Sequence, residues 1–253
     1  MTQNPILKVL STLGKHQVRY LLMGGQACVW YGAAEFSRDT DVAVLADAEN
    51  LKRLRTAMKE LKADVIAVPP FQVKYLRRGQ AVHFRCRHPE AEKMRLDVMA
   101  VMRGVDAFED LWARRTTITR QGIKIELMSW PDLVQAKKTQ RDKDWPMIRR
   151  LLEVHYSKNQ KKPNRPQVDF WLRECRTASI LLDLVQRFPK QTKQALPKRP
   201  LLSLAVSKDA AGLTAALEQE EKAEREADRV YWAPLRKELE KLRHQRIRKG
   251  RRR

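Results

Sequence analysis

Three aspartates carry the chemistry that this 253-residue sequence suggests first. Asp39 and Asp41 stand two apart in Phe36-Ser-Arg-Asp-Thr-Asp-Val-Ala-Val44, at the start of a stretch that reads as a strand over 41–45. Side chains two apart on a strand project to the same face, so the two carboxylates repel unless a cation joins them. Asp97 sits among apolar residues in Met94-Arg-Leu-Asp-Val-Met-Ala100, a second strand pattern. If the two strands are neighbours, three carboxylates converge. An all-oxygen cluster of that kind suits Mg²⁺ or Mn²⁺, which are held by a few carboxylates together with substrate phosphates.

Phosphate-binding elements lie on either side. Leu21-Leu-Met-Gly-Gly-Gln-Ala27 is an apolar run ending in two glycines before a helical pattern. Gly24 and Gly25 would let a phosphate approach the backbone, and a helix N-terminus supplies unpaired N–H donors. Downstream, Lys137, Lys138, Arg141 and Lys143 cluster on one helical stretch within reach of a triphosphate.

These residues need elements to position them. Ile6, Val9, Leu10 and Leu13 recur at helical spacing, and 18–23 is a short apolar strand pattern. A helix follows at 26–31. Asn50 is placed to cap another with Leu51, Leu54, Met58 and Leu61 inward. Strands are expected at 65–68, 81–86 and 96–101, and a hairpin at 116–119 and 123–127 through Arg120-Gln-Gly122. Ser129 caps a helix opening Trp130-Pro131, and a helix at about 145–155 offers Met147, Ile148, Leu151 and Leu152 as its apolar face. Trp30, Trp112, Trp130 and Trp145 accompany apolar faces and read as core, whereas His83, Cys86 and His88 lack a metal-ligand spacing. Mixed strands and helices in this order indicate an α/β (α+β) domain with a mixed sheet flanked by helices.

The joint order of Gly24-Gly25, thirteen residues, Asp39-Thr40-Asp41 and a later strand aspartate resembles the nucleotidyltransferase superfamily. Its DNA polymerase β-like and minimal members share such a glycine pair, DxD and third carboxylate. The stretch Asp132-Leu-Val-Gln-Ala-Lys-Lys-Thr-Gln-Arg-Asp-Lys-Asp144 is similar to the ending of bacterial members related to AbiEii-type toxins. The resemblance covers about residues 5–156. It implies that Asp39 and Asp41 hold two metal ions and that Asp97 is the third ligand to the catalytic one. It implies further that Gly24 and Gly25, assisted by Ser37 or Arg38, contact the β- and γ-phosphates of a nucleoside triphosphate. Lys137 is the favoured side-chain phosphate partner, ahead of Arg141 and Lys143. Gly25 stands where many active members carry Ser, and Asp97 lies close to arginine. The function implied is metal-dependent transfer of a nucleoside monophosphate to a hydroxyl on RNA, protein or a small molecule. The alternative is a catalytically idle module of the same fold that binds nucleic acid or a partner protein, as in toxin–antitoxin or phage-defence pairs.

Charge divides the chain. It carries 52 Lys and Arg against 30 Asp and Glu, a formal +22. Residues 1–156 hold 27 basic and 18 acidic residues; residues 157–253 hold 25 and 12. The linker expected at 157–166 separates a domain at 1–156 from a basic, mainly helical extension at 167–253. That extension reads as one helix over 168–188 and two or three more over 210–243, interrupted at Pro234. Its basic end reads as disordered and, with the rest of the extension, is the expected RNA contact. Three cysteines without CxxC spacing exclude a disulfide framework. With no long apolar run and no secretory leader pattern, the sequence predicts a soluble cytoplasmic protein without membrane contact.

Overall fold

Strands of two to six residues, most of them separated by helices, assemble into one mixed sheet. The computed structural model describes residues 4–250. Its seven strands are β1 (Tyr20–Met23), β2 (Asp39–Val44), β3 (Asp64–Val65), β4 (Val82–Arg85), β5 (Arg95–Met99), β6 (Thr116–Arg120) and β7 (Ile123–Leu127). They lie in the order β3-β4-β5-β2-β1-β7-β6. β2 pairs antiparallel with β1 and parallel with β5, which places the two aspartate-bearing strands side by side at the centre. Leu21, Leu22, Val42, Val44, Leu96 and Val98 are fully buried there, as expected of strands covered by helices.

Helix α1 (Pro5–Lys15) starts at Asn4, whose side chain accepts from the Ile6 N–H, and buries Leu7, Val9, Leu10 and Leu13. Helix α2 (Gly24–Tyr31) follows β1 without a loop. Helix α3 (Ala48–Glu60) is capped by Asp47, not Asn50. Asn50 is buried inside the first turn, where its amide accepts from Arg19 N–H and donates to the carbonyls of Arg19 and Leu45. Two short helices, α4 (Val73–Arg77) and α5 (Phe108–Ala113), carry no sequence period long enough to reveal them. α6 (Trp130–Ala136) and α7 (Asp144–Asn159) occur where the pattern placed them.

The C-terminal half departs from expectation. α8 (Arg165–Glu174) and α9 (Ala178–Arg187) replace the single helix expected over 168–188. Cys175 adopts extended dihedrals and breaks the chain between them. Half of the expected linker is helical: Ser157–Asn159 close α7, and Asn164 opens α8 with a capping box to Gln167. α10 (Pro189–Ala195) and α11 (Leu202–Val206) lead to α12 (Ala210–Gly250), one helix with Pro234 inside it rather than two or three. Of the basic end expected to be disordered, the residues from Arg246 to Gly250 continue α12, and Arg251–Arg253 lie outside the described residues.

The chain divides into two compact units. The first comprises residues up to Trp30, Ala34–Ala136 and those from Val230 onward; the second comprises Tyr31–Ala33 and Lys137–Arg229. The division therefore follows α6 rather than Tyr156. In the first unit the residues after Pro234 are held by Gln80, which donates to the Leu235 carbonyl at 3.1 Å, and by an Arg78–Glu238 ion pair at 2.5 Å. Trp145 is core, but Trp30, Trp112 and Trp130 are only half-buried. No helix among the described residues is long and apolar enough to cross a membrane.

Candidate active site

Strand alternation puts Asp39 and Asp41 on the half-exposed face of β2, while Thr40 and Val42 turn into the core. The parallel register with β5 sets Asp41 opposite Asp97 and Asp39 opposite Arg95. All three predicted carboxylates therefore share one face of the central strand pair. The antiparallel register with β4 adds His83 opposite Asp97.

The glycines are explained by the same face. Gly24 has φ of +65°, and a Cβ built there would fall inside the Asp41 carboxylate. A Cβ on Gly25 would collide with Ser37 Oγ. The two positions thus form a side-chain-free cradle that lets Asp41 and Ser37 close over the start of α2. Ser37 Oγ donates to the Asp39 carbonyl at 3.3 Å, and Gln26 Nε2 donates to the Ser37 carbonyl at 2.6 Å. These bonds fasten the segment before β2 to the first turn of α2. Arg38 is exposed, as is Phe36 at 72%.

Asp97 is the most constrained of the three. Arg95 Nε donates to its Oδ1 at 2.8 Å and Nη2 to its Oδ2 at 2.9 Å. His83 Nδ1 lies 2.9 Å from Oδ1. Burial alone would raise the Asp97 pKa, but His83 and Arg95 outweigh it and hold the carboxyl below its ordinary value. Arg95 is in turn held above its ordinary value, first by the hydrogen bond to Asp97, against burial, and then by the fields of Asp97, Asp39 and Asp41. One guanidinium therefore faces three carboxylates. The sequence already set arginine beside Asp97, and the two-residue spacing of Arg95 and Asp97 puts both on one face of β5, where the pair forms.

The three side chains are oxygen donors on one face, the kind of set a hard divalent cation takes. With Arg95 in place, no group of three carboxylate, histidine or cysteine side chains among the described residues is gathered to hold a metal. A divalent cation bound by all three aspartates would take the place of the guanidinium on Asp97.

Of the predicted phosphate-binding cations, Arg38 lies in the first unit and Lys137, Lys138, Arg141 and Lys143 lie in the second. Lys137 is buried with its Nζ 3.1 Å from Asp144 Oδ1. Arg141 Nε donates to Asp144 Oδ2 at 2.7 Å, and Thr139 Oγ1 donates to the same oxygen at 2.6 Å. Lys143 is exposed at the start of α7. Asp132, from the same motif, belongs to the first unit, where it accepts two hydrogen bonds from Arg114 and one from Ser129. His88 and Cys86 are elsewhere engaged: His88 Nδ1 accepts from the Glu90 N–H, and burial pushes the Cys86 thiol up to about 11.

No known family's sequence description matches this chain, and no curated protein matches it. Among solved structures it is similar to one titled "Crystal structure of an antigenic nucleotidyltransferase-like protein from Paracoccidioides brasiliensis". That likeness has 18% identity and a TM-score of 0.40, and it covers 79% of this chain and 92% of the other.

Proposed function

We propose that this chain is a nucleotidyltransferase, moving a nucleoside monophosphate from a nucleoside triphosphate to a hydroxyl acceptor. The observation that carries the reading is the β2–β5 register, which aligns Asp41 with Asp97 on the face shared by Asp39, beside a two-glycine cradle. Asp39, Asp41 and Asp97 would hold Mg²⁺ or Mn²⁺, which when bound supplies Lewis-acid stabilisation of charge on the phosphates.

The chain's own groups then have distinct tasks. Backbone N–H groups in the first turn of α2, at Gly24 and Gly25, lack intrahelical partners and donate to phosphate oxygens. The Ser37 hydroxyl reaches the space beside Gly25, which supplies a donor where the signature serine is missing. Arg38 offers an exposed guanidinium to the same phosphates. Exposed Phe36, next in sequence, offers a face on which a nucleobase stacks. Lys137 and Arg141 serve Asp144, so the phosphate contacts proposed here come from the first unit. In the reaction the acceptor hydroxyl gives up its proton to solvent, its oxygen bonds to the α-phosphorus, the bond to the pyrophosphate oxygen breaks, and pyrophosphate leaves.

RNA is the proposed acceptor class, because the last turns of α12 expose Arg243, Arg246 and Arg248. Incubation with labelled triphosphates, Mn²⁺ and total RNA should transfer label with the wild-type chain. Asp39→Ala with Asp41→Ala should transfer none. Arg243→Ala, Arg246→Ala and Arg248→Ala together should weaken RNA binding and flatten its salt dependence. The second reading, an idle module, is favoured by the Arg95 clamp on Asp97; wild-type transfer no greater than the double variant's would establish it.

A further inference from the structure

The second unit contains a cavity of about 550 Å³ whose wall is unusually rich in ionised groups. Six cations and four carboxylates line it. Three of the cations are buried at its base: Lys138, Arg176 and Arg199. Glu220 takes Arg199 through Nε at 3.0 Å and Nη2 at 2.7 Å, and takes Arg176 Nη1 at 2.9 Å. Lys138 Nζ lies 2.7 Å from Glu174 and 3.6 Å from Glu224.

Part of this network is structural. Arg199 also donates to the carbonyls of Leu172 and Cys175, at 2.9 and 2.8 Å, and so satisfies the C-terminal turn of α8. Arg176 is different. It is only 7% exposed, and its Nε–H is buried without an acceptor. A buried donor left unpaired costs free energy that an arriving acceptor oxygen recovers. Burial, with the neighbouring Arg199 charge, outweighs the nearby glutamates and draws the Arg176 guanidinium below its ordinary value. Added negative charge would relieve that. At the rim, Arg165 lies 3.7 Å from Asp169 and Arg173 lies 3.2 Å from Glu174, Lys198 adds a third cation, and Gln191 and Gln194 bring neutral donors and acceptors.

We propose that this cavity, walled by α8, α10 and the Glu220–Glu224 turn of α12, binds a phosphomonoester of about mononucleotide size. The phosphate meets the rim cations and the unpaired Arg176 Nε–H, and the two glutamine amides hydrogen-bond the organic part. A volume of this order accommodates such a ligand. The site does not depend on the catalytic reading, since every lining residue belongs to the second unit.

Calorimetric titration of the full chain with AMP, inorganic phosphate and adenosine, in chelator to exclude divalent metal, tests it. AMP should bind one to one, adenosine at least about tenfold more weakly, and phosphate measurably. Arg165→Ala with Lys198→Ala removes two rim cations without touching the buried network. This variant should weaken AMP at least about tenfold with an unchanged melting temperature. Asp39→Ala with Asp41→Ala should leave AMP binding unaltered, which separates this site from the catalytic one. The proposal is overturned if AMP does not bind, if adenosine binds as well as AMP, or if the rim variant binds AMP like wild type.

Discussion

The molecule contains two clusters of carboxylates and cations that look alike in sequence and differ in charge balance. On the β2–β5 face, three aspartates meet one arginine, and two of the three remain half-exposed. Around Asp144, in the second unit, one carboxylate only 2% exposed receives Lys137, Thr139 and Arg141. The first cluster sets three carboxylates against one guanidinium on an accessible face, and in the proposed reading it takes up a cation. The second is saturated and closed, which is how a buried charge is tolerated. The proposed catalytic cluster and the structural one thus differ in exposure and charge balance, not in residue type.

Substitutions break the comparison most visibly. Asp144→Ala leaves Lys137 buried without its carboxylate and should cost about 3–5 kcal/mol in urea unfolding. Asp39→Ala relieves repulsion on a half-exposed face and should change stability by less than about 1 kcal/mol, while label transfer falls to background. Equal stability losses in the two variants would show that the clusters do not differ as described.

Acid sharpens it next. In the second unit Trp171 Nε1 donates to His155 Nδ1 at 2.8 Å, which fixes the neutral ring. Burial, aided by the Lys158 charge, holds its pKa at about 4. Because the unfolded value is near 6.5, the unfolded chain takes up the extra proton between these values. Stability is therefore full above pH 6.5, falls as pH drops towards 4, and then levels, a loss on the order of 2 kcal/mol. Unfolding free energies at pH 7 and 4.5 should differ by less in His155→Gln; an unchanged difference excludes His155 as the cause.

A smaller effect concerns the clamp. Arg95→Gln removes the cation competing for Asp97, and Mn²⁺ affinity followed by electron paramagnetic resonance should rise about tenfold. Weaker binding would make Arg95 an organiser of the site rather than a competitor. The smallest effect lies at the surface, where Lys15 first and His16 second hold Glu60 at about 2. That contribution is present above about pH 4.5 and is lost as pH falls to 2. Exposure keeps it below about 1 kcal/mol, so Glu60→Gln should barely alter the pH 7 melting temperature.

What the sequence discloses follows from the range of the interactions. Asp39 and Asp41 share a face because strand alternation is local, and the hairpin through Gly122 is likewise written in adjacent residues. The pairing of β2 with β5 is not local, so convergence with Asp97 stayed conditional until the register was known. The Arg95 clamp was within reach of the alternation rule, but His83 required the β4 register as well. Lys137 shows the opposite failure: its motif invited a phosphate role, whereas burial against Asp144 commits it to packing. The break at Cys175 has no glycine or proline to announce it. Pro234 announces a break that does not occur, and contacts from Gln80 and Arg78 hold the residues that follow.

The central claim is that the aspartate face transfers a nucleotide, and the position of the label tests it most directly. With total RNA and Mn²⁺, α-phosphate label should appear on the acceptor while γ-phosphate label is released as pyrophosphate. Label retained on the acceptor from the γ-position, or none from either, would contradict the account.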